Sequence, residues 1–281
     1  MAQKYICETF DSIDRMLATI NSRPNNSVMA NENDSHDGSS GFTGTANYGE
    51  AETLIKNGWE KPLSELRDAM RAANVKTNVT HSKTRPTTGI VGYVPCVPNA
   101  IKGLPNSMIM TERTPSKVKA VTIIYNSSAA ARTKTEEFFR SGASMLKIIN
   151  NLELSGYRVR LVLEYMCARS GNEDALGRVV LKDWRQHIDL KKLSFPLANS
   201  SMLRRFGFRW LETQPDITES GFNGDYGTAI GNVDSYDKVV KDYRAGGVLS
   251  DNEYFINMQM CKDEGQDVER IMARAGMKMK I

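Results

Sequence analysis

The side chains best equipped for chemistry here are cationic, and two sets of them keep regular spacing. Arg204, Arg205, Phe208 and Arg209 fall in one predicted helix over 202–212. On a helical wheel Leu203, Phe206 and Trp210 share one face, and Arg205, Phe208, Arg209 and Glu212 the opposite one. An exposed ring between two guanidinium groups suits a single strand: a base stacks on the ring and phosphates meet the arginines. Arg158 and Arg160 alternate outward on a predicted strand, so their side chains emerge on one face about 7 Å apart. Lys182 and Arg185 belong to the next strand and its exit. These eight residues form the candidate nucleic-acid-binding set. No helix-turn-helix or zinc finger accompanies them, which disfavours duplex readout.

The charge balance points the same way. Residues 61–212 hold 25 Lys and Arg against 12 Asp and Glu, whereas residues 1–60 hold 4 against 9 and residues 213–281 hold 8 against 12. A basic middle between acidic ends implies a polyanionic partner, of which nucleic acid is the commonest.

Other chemistries find less support. No GxxxxGK[ST] or GxGxxG follows a predicted strand, and the glycines at 221, 224, 227 and 231 sit in an acidic loop, the wrong charge for a phosphate. His36, His81 and His187 are isolated, and the adjacent acids Glu136/Glu137 and Glu173/Asp174 read as solvated faces. Cys7, Cys96, Cys167 and Cys261 are far apart and read as reduced structural thiols. No catalytic residue, metal or cofactor is expected. No apolar run approaches the roughly 18–20 residues of a membrane span, and acids interrupt the N-terminal stretch, so a cytosolic protein without membrane partners is expected.

The elements that must position these residues read as an α/β (or α+β) fold, a central mixed or parallel sheet with flanking helices and a helical C-terminal extension. A short helix is expected over 4–20, from Ile6, Phe10, Ile13 and Leu17. Residues 22–41 are polar enough to read as a flexible linker. Asn47 and Glu50 form a capping box for a helix that ends at Gly58, and Pro62 opens a second one. Residues 74–88 read as a basic loop or arm, and 89–110 as irregular strands. Residues 119–125 form a β-branched strand, 133–155 a long helix and 157–165 a strand, the pattern of a crossover with parallel strands. A third strand over 177–183 pairs with the second. Residues 213–234 form a Gly- and Asp-rich loop, and three helices follow at 235–245, 251–262 and 266–275. This gives three parts: 1–41, a helix and linker; 42–212, a basic α/β core; and 213–281, an acidic loop and helices. Tyr254, Phe255, Met258 and Met260 mark a surface for homo-oligomer formation, with core packing as the alternative.

Four blocks carry a resemblance: FTGTANYGEAETLIKNGWEKP (42–62), GIVGYVPCVPNAIKGLPNSMI (89–109), RSGASMLKIINNLELSGYRVRLVLE (140–164) and LKDWRQHIDLKKLSFPLANSSMLRRFGFRWLE (181–212). Together they resemble a widespread family of uncharacterised bacteriophage proteins. The resemblance implies a phage source, the infected cell's cytoplasm, and an accessory role in replication or transcription with a phage or host polymerase as a further partner. More weakly, Asn126, Ser127 and Ser128 at a strand end resemble the von Willebrand factor A domain, with Asn126 where that domain's metal motif has Asp. The alternative function is therefore an adaptor of that type, acting on a host or phage protein.

Overall fold

The computed structural model describes residues 3–71, 84–113, 119–217, 222 and 226–277. The chain opens with a strand, β1 (Lys4–Phe10), and only then a helix, α1 (Ile13–Ser22), whose first turn is capped by the Ser12 hydroxyl accepting the Arg15 amide at 3.2 Å. This corrects the helix expected over 4–20. Ile6 and Phe10 are four apart, a spacing that fits a period of two as well as 3.6, and a strand partner far along the chain decides between them.

The linker expected over 22–41 is ordered instead. It contains the one-turn helices α2 (Asp34–Asp37) and α3 (Ser40–Thr43) and lies against the body as a strap. Next come α4 (Tyr48–Asn57) and α5 (Leu63–Arg71). The Asn47 side chain accepts the Glu50 amide at 2.8 Å, as predicted, and Gly58 ends α4 at φ +89°, where a side chain would be strained.

A separate antiparallel sheet follows, built from β2 (Thr84–Gly89), β3 (Val94–Pro95), the short helix α6 (Val97–Ile101) and β4 (Met108–Arg113), with β4 in the middle. The rest of the basic loop expected over 74–88, residues 74–83, lies outside the described residues.

The predicted centre is present as β5 (Lys119–Asn126), α7 (Thr135–Leu154), β6 (Tyr157–Ser170) and β7 (Glu173–Lys182). After it come α8 (Leu190–Ala198), a π-helix over Met202–Gly207 and α9 (Phe208–Thr213). The chain closes with β8 (Thr228–Ala229), α10 (Ile230–Val233), α11 (Tyr236–Ala245), β9 (Glu253–Asn257), α12 (Met258–Asp263) and α13 (Val268–Arg274). The helix expected over 251–262 is thus half strand. The Ser250 amide does bond the Glu253 carboxylate at 2.9 Å, but Tyr254, Phe255 and Ile256 then extend along β5.

The main sheet runs β1-β7-β6-β5-β9, with β8 added beside β6. β5 is parallel to β6 and β9, and β1 is parallel to β7, while β6 and β7 form an antiparallel hairpin. The sheet therefore draws strands from all three of the sequence-defined parts. One face carries the main core, including Leu161, Leu163, Ile149, Phe206 and Trp210. The other face carries a smaller core under α11, with Ile124, Val162, Val239 and Phe255. Phe255, Met258 and Met260 are buried, so the proposed self-association surface of the C-terminal region is core packing. Among the described residues no helix is long and apolar enough to cross a membrane.

Candidate nucleic-acid interface

The cluster on 202–212 does not face solvent, which corrects the helical-wheel reading. The π-helix has a wider turn than the 3.6-residue wheel assumes, and the strap covers the side taken as free. Arg205 is fully buried. It donates to the carbonyls of Ser35 at 3.0 Å, His36 at 3.1 Å, Gly38 at 3.2 Å and Thr45 at 2.9 Å, and to the Thr45 hydroxyl at 2.9 Å. Arg204 is also buried and donates to the carbonyls of Phe42, Ala131 and Thr133 at 2.5, 3.0 and 2.6 Å. Its guanidinium stands 4.2 Å from the Phe42 ring centroid. Burial lowers both guanidinium pKa values, that of Arg204 to about 10, and both stay cationic at neutral pH.

Arg209 donates to the Asn25 side chain at 2.6 Å and the Arg23 carbonyl at 3.1 Å. Phe208 is half-buried and stacks on Tyr226, with centroids 4.0 Å apart and planes at 20°. The buried Glu212 carboxylate completes the seam, accepting from the Ser35 hydroxyl at 2.7 Å and the Tyr226 hydroxyl at 2.8 Å. These groups fasten the strap.

The second basic set has a different fate. Lys182 is buried, ion-paired with Glu153 at 2.5 Å and bonded to the Val159 carbonyl at 2.8 Å. Arg158 and Arg185 are exposed and Arg160 is half-exposed. Arg160 holds its guanidinium 5.2 Å from the centroid of the Trp184 ring, and Trp184 is 36% exposed. The Arg160 Nε is buried and has no hydrogen-bond partner among the described residues. Lys119 stands over the Tyr157 ring at 5.4 Å, and the two face each other in the β5–β6 register. Arg160 thus stands against a partly open indole, Arg158 is exposed two positions before it in β6, and Arg185 is exposed next to Trp184 in the chain. Trp184 escaped the sequence reading, although a tryptophan next to an arginine at a strand exit was the available signal. A cleft of about 630 Å³ adjoins it, with Lys56, Arg160, Asp183, His187 and Lys192 among its lining residues.

The end of β5 is arranged as a turn. The Asn126 amide group donates to the buried Glu164 carboxylate, and its Oδ1 accepts the Ser128 amide at 3.0 Å. Glu164 also takes the Arg178 guanidinium at 2.7 Å and the Tyr243 hydroxyl at 3.3 Å. Among the described residues no group of three or more His, Cys, Asp or Glu side chains is placed to hold a metal. A crevice of about 480 Å³ opens between the ends of β5 and β9, with Ser128, Arg132, Arg140, Gln259 and Lys262 on its walls. β5 continues through α7 to β6 on one side, while β9 lies on its other side. The crevice therefore stands where chain connections diverge, the usual ligand position in open α/β sheets.

The sequence matches a family described as "Domain of unknown function (DUF7192)" over residues 2–278. No curated protein and no solved structure matches the chain.

Proposed function

Because the chain belongs to the DUF7192 family, whose description assigns no activity, the function has to be argued from its own surface, and we propose that it is a non-enzymatic protein that binds single-stranded nucleic acid around Trp184. The observation that carries this reading is the Arg160–Trp184 pair, with exposed Arg158 two residues before Arg160 and exposed Arg185 directly after Trp184 in the chain. A base stacks on the open part of the indole, and the arginines take the flanking phosphates. Three phosphate contacts give a slope of log affinity against log salt of about −2.1, at roughly 0.7 per contact. A fluorescent oligonucleotide titrated at two salt concentrations reads that slope, and quenching of Trp fluorescence reports the stacking. Replacing Arg158, Arg160 and Arg185 by Glu together abolishes binding. Absence of binding at low salt, or binding unchanged in the triple variant, overturns the reading. With the resemblance to phage proteins, the proposed role is an accessory factor in phage replication or transcription in the infected cell's cytoplasm, with a phage or host polymerase as a partner.

A second reading is favoured by the strand order β7-β6-β5-β9, with its single antiparallel hairpin and a turn of Asn126, Ser127 and Ser128 at the end of β5. It makes the chain an adaptor resembling a von Willebrand factor A domain, contacting a host or phage protein at the β5–β9 crevice. A pull-down that survives nuclease and high salt, and that Arg160→Glu leaves intact, supports the adaptor and counts against the nucleic-acid reading.

A further inference from the structure

The sheet of β2, β3 and β4 with α6 is an arm with no buried side. None of residues 86–111 is buried, and among the described residues its strands pair only with one another. Its apolar side chains stand in water: Ile90, Val91, Tyr93, Val94, Val97, Ile101, Leu104 and Met110 are 40–82% exposed. They are eight of the eleven large exposed hydrophobic residues among the described ones. Small sheets are stable when a hydrophobic face is covered, and uncovered apolar patches beyond a few hundred Å² are rare on monomers.

We infer that the arm is a self-association surface, covered by the arm of a second copy of this chain. Three observations select that occupant. First, the area fits. Large apolar residues present roughly 150–200 Å² each when open, so the eight leave about 800 Å² in water over the two sides of the arm (Val94 sits opposite Ile109, and Met110 points the other way), enough for a second copy to bury a substantial part of one partner's share of a standard interface. Second, the charge fits. From Pro86 to Thr111 the sole charged residue is Lys102, so two copies can face each other with little like-charge repulsion, and charge depletion marks the core of interfaces. Third, the outer strands carry proline. Pro86 lies in β2 and Pro95 in β3, and each lacks the N–H that edge-to-edge pairing needs. The contact is therefore made by side-chain faces, and with the same patch on both copies it closes as a two-fold dimer rather than growing into a fibre.

The test is sedimentation equilibrium of the full chain from low to high micromolar concentration. The expected result is a monomer–dimer equilibrium whose dissociation constant rises at least tenfold in a Val91→Asp/Ile101→Asp variant of unchanged circular dichroism. Hydrogen exchange on the unaltered chain gives a reading that needs no variant: protection across 84–113 increases with concentration. A chain that stays monomeric throughout overturns the inference, as does a dimer that survives both substitutions or whose concentration-dependent protection lies elsewhere. A monomer that sediments with neutral phosphatidylcholine vesicles assigns the arm to a lipid surface and overturns it as well.

Discussion

Arg205→Ala is the perturbation that most directly separates the two basic sets. The side chain is fully buried and donates to four strap carbonyls and one hydroxyl, and among the described residues no ion pair includes it. Truncation removes a donor from each, although the Thr45 carbonyl keeps the Thr43 hydroxyl at 3.0 Å and the Thr45 hydroxyl keeps that of Ser201 at 2.9 Å. The Ser35 carbonyl belongs to a buried residue and is orphaned, at a cost of about 1–3 kcal/mol. The carbonyls of His36 and Gly38 belong to more exposed residues and recover water. Lost packing of the alkyl stem adds to the cost, while relief of a desolvated charge subtracts from it. The expected net loss is about 2–4 kcal/mol in urea unfolding, a large share of the roughly 5–15 kcal/mol available to a domain. Hydrogen exchange localises it: amides of 35–46 lose protection before those of β6. Arg205→Lys recovers only part of the loss, because three ammonium donors cannot span the same carbonyls. Under conditions where the Ala variant remains folded, it binds the oligonucleotide as the unaltered chain does. A loss below about 1 kcal/mol, or a fall in oligonucleotide affinity without loss of strap protection, refutes the assignment of Arg205 to the strap.

Further outcomes follow from the same contacts. Glu164→Gln breaks the buried pair with Arg178 and leaves a guanidinium uncompensated, so urea unfolding shows a loss of about 3–5 kcal/mol. Gly142→Ala places a Cβ 2.4 Å from the Leu197 carbonyl oxygen, a backbone atom that cannot swing aside, and thermal unfolding reports at least about 1–3 kcal/mol of loss as α7 and α8 separate. Burial pushes the Glu8 carboxyl pKa up, but hydrogen bonds from Arg23, Trp210 and Gln214 outweigh it, and the net shift is downward. The unfolded chain therefore takes up this proton first as pH falls. The stability Glu8 contributes is complete above its ordinary pKa, near 4.5, and is lost as pH drops through the lower folded value. Acid titration followed by circular dichroism shows a shallower acid limb in Glu8→Gln.

The centre of the fold was legible because its signals are local. The β-branched run before Asn126, the apolar face of α7 and the alternation in β6 each imply their element without reference to distant residues. The misread elements depend on partners far along the chain. β1 is a strand because β7 lies beside it, and β9 because β5 does. The strap is ordered by Arg204, Arg205 and Arg209, roughly 160–190 positions away, and no composition rule for polar segments includes donors at that separation. For the same reason the candidate site was half legible. Alternation correctly set Arg158 and Arg160 outward, whereas the exposure of 205, 208 and 209 assumed that nothing covered them.

The pairing of β1 with β7 sets an order of events during synthesis. Lys4 meets Glu173 and Phe10 meets Val179, so the first strand leaves the ribosome about 170 residues ahead of its neighbour. At roughly 5–20 residues per second, that is on the order of 10–30 s of waiting. Over that interval Ile6 and Phe10 remain without the strand that shelters them, and the strap waits about as long for Arg204 to Arg209 to emerge. Strand and strap are thus among the last parts to settle although they are made well before their partners.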